Sequence, residues 1–123
     1  MEHYHFTNQL LKSKVHIVDI SSLALHELDL LVECCLRADS YFIKANDDLS
    51  ATLMRDCADI TVLLIVLMKR KSTVEVLYLN FCIEVWQKCR KTLSDYKNHS
   101  ELEINYECFN SCISNFRKYS LIE

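Results

Sequence analysis

Met68-Lys69-Arg70-Lys71-Ser72-Thr73-Val74-Glu75 reads as the end of one helix and the start of the next. Three cations stand where the negative pole of a helix C-terminus favours them. The Ser-x-x-Glu that follows has the form of a capping box: the serine oxygen accepts from an orphan backbone N–H and the glutamate reaches back. Beyond it, Leu79, Cys82, Trp86, Cys89, Leu93 and Tyr96 recur at alternating steps of three and four, the seam of a helix packed lengthwise on its neighbours. Before it, Ser50, Met54, Cys57, Thr61, Leu64 and Met68 repeat the same spacing. Two helices joined by a tight turn follow.

The same signals recur outward from this point. Ser100-Glu-Leu-Glu103 is a second capping box, Asn46-Asp47-Asp48 offers an N-cap with acids in the first turn, and Asp19 to Ser22 marks another start. Helices are predicted near 20–45, 47–70, 73–97 and 101–120. The first has a seam of Ile20, Ala24, Glu27, Leu31, Cys34 and Ala38, with Glu27 out of character. The fourth has Asn105, Cys108, Cys112, Asn115, Tyr119 and Ile122. Connections this short force antiparallel neighbours. The expectation is an all-α, antiparallel four-helix bundle over residues 19–123, preceded by an N-terminal segment, 1–18. That segment gives no single reading: Asn8 to Lys12 suits a helical turn, Val15 to Val18 is β-branched.

Composition agrees. The 123 residues include no Gly and no Pro. Hairpins, sandwiches and barrels need such residues in their turns, and phosphate cradles need glycine, so both are excluded. Tight turns fall to Asn, Asp and Ser. With Lys+Arg 14 against Asp+Glu 17, a net charge of −3 gives no footprint for nucleic acid. Met1-Glu-His-Tyr-His-Phe6 is no secretory leader. The longest apolar run, Ile60–Met68, is far short of the ~20 residues that span a bilayer. A soluble cytoplasmic protein is expected, and there seven cysteines are thiols or metal ligands rather than a disulfide frame.

Six of the seven cysteines fall on the seams. Cys108 and Cys112, one turn apart, have Cβ atoms about 5–6 Å from each other, beyond the ~3.8 Å of a disulfide. Their sulfurs can still converge on a soft ion such as Cu(I). Cys34 and Cys35 point roughly 100° apart on a helix, so only Cys34 faces the seam and Cys35 reads as an incidental thiol, exposed or at a helix contact. His3 and His5 are too sparse for a metal-binding tail, His16 and His26 read as surface or capping residues, and His99 belongs to a loop. Asp47-Asp48 and Glu101/Glu103 are explained by their first-turn positions, and H-E-x-x-H is absent, so no enzyme is expected.

Arg55-Asp-Cys-Ala-Asp-Ile60, Met68-Lys-Arg-Lys-Ser72, Cys82-Ile-Glu-Val-Trp-Gln-Lys-Cys89 and Cys108-Phe-Asn-Ser-Cys112 resemble the bacterial four-helix-bundle copper-storage family, over residues from about 30 to 119. The resemblance implies a bundle whose interior thiolates hold many Cu(I) ions and whose members commonly form tetramers. Cys34, Cys57, Cys82, Cys89, Cys108 and Cys112 carry over as metal ligands. Ala38, Ser50, Thr61, Leu79, Trp86, Leu93, Asn115 and Tyr119 stand where the family pattern places cysteine, and the family's histidine-rich opening is reduced to His99. Reduced capacity follows.

Two functions compete: a Cu(I)-binding bundle, and a structural or interaction bundle that kept the fold and lost the metal. Cys82 and Cys89 facing Cys108 and Cys112 across two antiparallel helices would favour the first. Independently, Val62, Leu63, Val66 and Leu67, with Val74, Tyr78, Phe81 and Val85, are too many apolar residues for one seam, which predicts a homo-oligomer, dimer or tetramer.

Overall fold

Asn46 and Lys71 have left-handed backbone, with φ of 60° and 53°, and each closes a helix. The Asp47 N–H donates to the Phe42 carbonyl (2.9 Å) and the Asn46 N–H to Ile43 (3.1 Å). Likewise the Ser72 N–H donates to Leu67 (2.9 Å) and the Lys71 N–H to Met68 (3.2 Å). This two-bond closure ordinarily takes glycine at the left-handed position. A chain without glycine makes it with asparagine, as turn chemistry predicts, and with lysine, which it does not.

The computed structural model describes residues 17–96 and 99–120. Its helices are α1 (Ile17–Lys44), α2 (Asp48–Lys69), α3 (Glu75–Ser94) and α4 (Ser100–Ser120). Each packs on the next, and α4 returns to α1. Polar ties across the seams show the antiparallel order. Arg55 of α2 donates twice to Asp39 of α1 (3.0 and 3.2 Å), and Arg90 of α3 donates to Asn110 of α4 (2.8 Å). The predicted four-helix, all-α architecture is the fold observed. His3, His5, His16, the Asn8–Lys12 turn and Ile122 lie outside the described residues.

The caps divide. The cap of α2 is Asp47 itself rather than a residue before it, so the helix starts at Asp48 and not 47; its carboxylate accepts from the Ser50 N–H (3.1 Å) and hydroxyl (2.7 Å), and also from the Tyr96 hydroxyl (2.6 Å). The capping box predicted at Ser72 does not form. The Ser72 Oγ accepts from Val74, only two residues on (3.2 Å), so α3 starts at Glu75 rather than 73. Glu75 is buried, at 4% exposure. The helix ends at Ser94, short of the predicted 97.

The seams of α2 and α3 are those predicted over their central turns: Met54, Cys57, Thr61 and Leu64, and Leu79, Cys82, Trp86, Cys89 and Leu93, are all buried, while Ser50, Met68 and Tyr96 at the ends are half-buried. In α1 and α4 the seam keeps alternate predicted positions, Leu31 and Ala38 in α1 and Asn105 and Cys112 in α4, and moves the positions between them on by one residue. Leu28, Leu31, Cys35, Ala38 and Phe42 form it in α1, and Leu102, Asn105, Phe109, Cys112 and Phe116 in α4. These sets keep the three-and-four spacing but bring large side chains to the centre, where burial is worth most. Glu27 is thereby released to the flank. Its carboxylate accepts from Ser111 (2.8 Å) and Asn115 (2.9 Å), tying α1 to α4. Val62, Leu63, Val66, Val74 and Phe81 stay exposed as expected, whereas Leu67, counted among the surplus, is buried.

Candidate metal centre

Helical rotation brings one cysteine from each of three helices to the middle of the bundle. Cys35 of α1, Cys57 of α2 and Cys89 of α3 are each 0% exposed. Cys57 is the meeting point: its thiol is engaged by Cys35, by Cys89 and by the Thr61 hydroxyl, whose Oγ1 lies 4.0 Å from the sulfur. Cys82, also fully buried, sits two turns from Cys89 on α3, within electrostatic reach of Cys57 and beside the Tyr78 hydroxyl. Cys35 is therefore no incidental thiol. The rotated α1 seam is what its sequence position concealed.

Cys34, pointing away from Cys35, belongs to a different group. Its thiol engages Cys108 of α4, which in turn engages Cys112 one turn on. The Cys112 thiol also donates to the Glu27 carbonyl oxygen (3.9 Å). Cys34 and Cys112 are buried and Cys108 is partly exposed. The expected α3–α4 cluster, Cys82 and Cys89 facing Cys108 and Cys112, is not found among the described residues. Between α3 and α4 the Trp86 and Phe116 rings meet edge to face, with centroids 5.7 Å apart. The Trp86 Nε1–H donates to Thr61 Oγ1 (3.1 Å). Two of the residues standing where the family pattern places cysteine therefore satisfy one another in the core.

All seven cysteines are free thiols. Cys57 is held well below the ordinary thiol value, first by Cys35, then by Cys89 and Thr61, against the penalty of burial. Cys35 and Cys89 are pushed far up, each by its hydrogen bond to Cys57 and then by burial. Burial, with the Cys57 charge adding to it, pushes Cys82 up to about 12. Cys34 rises through its bond to Cys108, and Cys108 is pushed up to about 12, chiefly by Cys112. Most of these sulfurs keep their protons at neutral pH. A cation entering must displace them, and its own charge supplies what the site lacks. Soft sulfur donors suit Cu(I). Among the described residues no three His, Cys, Asp or Glu side chains converge as a metal site.

His99 is exposed, and its Nδ1 shares a hydrogen bond with the Tyr41 hydroxyl where α4 begins. Tyr41 and Tyr96 both pack against its ring. It is a loop residue, as expected, with an aromatic setting that sequence spacing gave no sign of.

Fold and site together define a thiol-cored antiparallel four-helix bundle. The family model described as copper storage protein matches residues 26–120, and the chain belongs to that family. Comparison with curated proteins and with solved structures finds no match. No helix among the described residues is long and apolar enough to cross a membrane.

Proposed function

We propose that the chain is a cytoplasmic Cu(I)-binding bundle of reduced capacity, with no enzymatic activity, and that it assembles as a homo-oligomer. One observation carries the binding reading: five thiols, those of Cys35, Cys57, Cys82, Cys89 and Cys112, are fully buried at 0% exposure. Membership of the copper storage family supports the ion. To the ligand set expected from sequence, Cys34, Cys57, Cys82, Cys89, Cys108 and Cys112, this reading adds Cys35. Capacity is limited by sulfur count and by the volume that Trp86, Leu79 and Phe116 take. Each two-coordinate Cu(I) uses about two thiolates, so seven thiols support only a few ions.

The Trp86–Thr61 bond favours a second reading, a structural or interaction bundle without metal, because it fills the core with a self-sufficient pair. Titration of reduced protein with Cu(I) against a competing chelator separates the two. Saturation at a few ions per chain supports binding. No uptake against a weak competitor leaves the interaction bundle. Because metal displaces thiol protons, apparent affinity should rise with pH, by roughly tenfold per unit for each proton released.

A further inference from the structure

Where the last turn of α3 meets the first turns of α4, the surface holds a groove of about 670 Å³. The buried Leu93 and Leu102 line it at depth, the half-buried Tyr106 and the exposed Ile104 nearer to solvent. Its size suits a small organic molecule, for which pockets run roughly 300–1,000 Å³. None of Val62, Leu63, Val66 and Phe81 lines it, so it is a surface apart from the apolar stripe of α2 and α3.

The polar groups of the lining select the charge of the occupant. The Ser94 hydroxyl already donates to the Lys91 carbonyl (2.7 Å), and the Tyr96 hydroxyl to Asp47 (2.6 Å). Two carboxylates are left to a ligand, those of Glu103 and Glu107, exposed and one helical turn apart. Among the described residues no ion pair engages either of them, and no Lys, Arg or His lines the groove. The face of the Tyr106 ring adds its own attraction for a cation. An anion would meet two like charges, and a neutral molecule would leave them unanswered. Glu103 lies in the first turn of α4, where the positive helix pole takes up part of its charge. Glu107, a turn further on, is the stronger anchor.

We propose that this groove binds an organic cation, a protonated amine on an apolar body. The body lies on Leu93, Leu102 and Ile104, and the ammonium meets Glu103 and Glu107. The site uses none of the thiols, so it stands apart from the Cu(I) reading above.

Amide chemical shifts of isotope-labelled, reduced protein test it, with three probes that share a phenylbutyl body: phenylbutylamine, phenylbutanol and phenylpentanoate. The amine should shift the amides of Leu93, Leu102, Ile104 and Glu107 saturably, bind roughly fivefold or more tighter than the alcohol, and weaken as salt is raised. The carboxylate should leave those amides unmoved. Glu103→Gln/Glu107→Gln should lower the amine to the affinity of the alcohol, with Glu107→Gln alone giving most of the loss. Both positions are exposed, and circular dichroism verifies that the variant is folded. An amine that moves none of these amides, an alcohol or carboxylate that binds as tightly, or a double variant that keeps the preference for the amine would overturn the proposal. Shifts of the same amides with protein concentration alone would place a second copy in the groove and overturn it equally.

Discussion

Thr61 and Trp86 show how much a single pair can decide. A tryptophan in a seam fills volume but brings an N–H that needs an acceptor, and Thr61 Oγ1 provides it at 3.1 Å in a fully buried setting. Thr61→Val keeps the shape and removes the oxygen. It should cost about 1–3 kcal/mol through the orphaned indole N–H, read as a lowered urea midpoint with unchanged slope. The need for a partner was legible from the tryptophan alone. Its identity was not, because Thr61 and Trp86 lie on different helices and only packing brings them together. The same holds at Cys34-Cys35. A period of 3.5 admits two neighbouring registers on a wide apolar face, and the choice between them fell to Leu28 and Phe42, which outweigh Ala24 and Glu27 in buried volume.

At the scale of the element, termini carry the sharpest consequences. Lys71 holds a left-handed conformation that costs a side-chain-bearing residue roughly 1–2 kcal/mol, partly returned by the greater entropy that glycine has when unfolded. Lys71→Gly should therefore raise stability by up to about 1 kcal/mol, seen as a higher melting temperature. At the start of α3, burial pushes the Glu75 carboxyl from 4.5 up to about 7, with Lys71 offsetting part of the effect. The unfolded chain then releases this proton first, so stability declines as pH rises from about 4.5 to 7 and levels above that. Glu75→Gln should flatten that decline in a series of urea titrations. Asp47 has the opposite sign. Tyr96, then Ser50, hold its carboxyl below the usual range, so its contribution is present above about pH 4 and is lost as pH falls through the lowered value. Asp47→Asn, which keeps an acceptor at the cap, should flatten the acid limb. A helix start could be read from Asn-Asp-Asp, though not that Asp47 is its cap. The false box at Ser72 could not be recognised as false, since the motif is local and the burial of Glu75 is a property of the folded chain.

For the molecule as a whole, the exposed stripe is the feature a lone bundle does not need. Val62, Leu63 and Val66 of α2 and Phe81 of α3 are 43–47% exposed, and a second copy covering them is the homo-oligomer proposed above. Val66→Glu should shift sedimentation toward the monomer, and a wild type already monomeric at micromolar concentration removes the interface. Sequence by itself determined the helical class, the number of helices, their antiparallel order and the α2 and α3 seams. Caps, the absence of Gly and Pro, and a three-and-four period are local properties that need no partner to be legible. The family, too, could be recognised from four short cysteine-bearing stretches. Only the tertiary structure decided which thiols meet. Rotation of α1 and α4 by half a residue, about 50°, brings Phe42, Phe109 and Phe116 into the core. That rotation took Cys35 into the core and left Cys108 partly exposed.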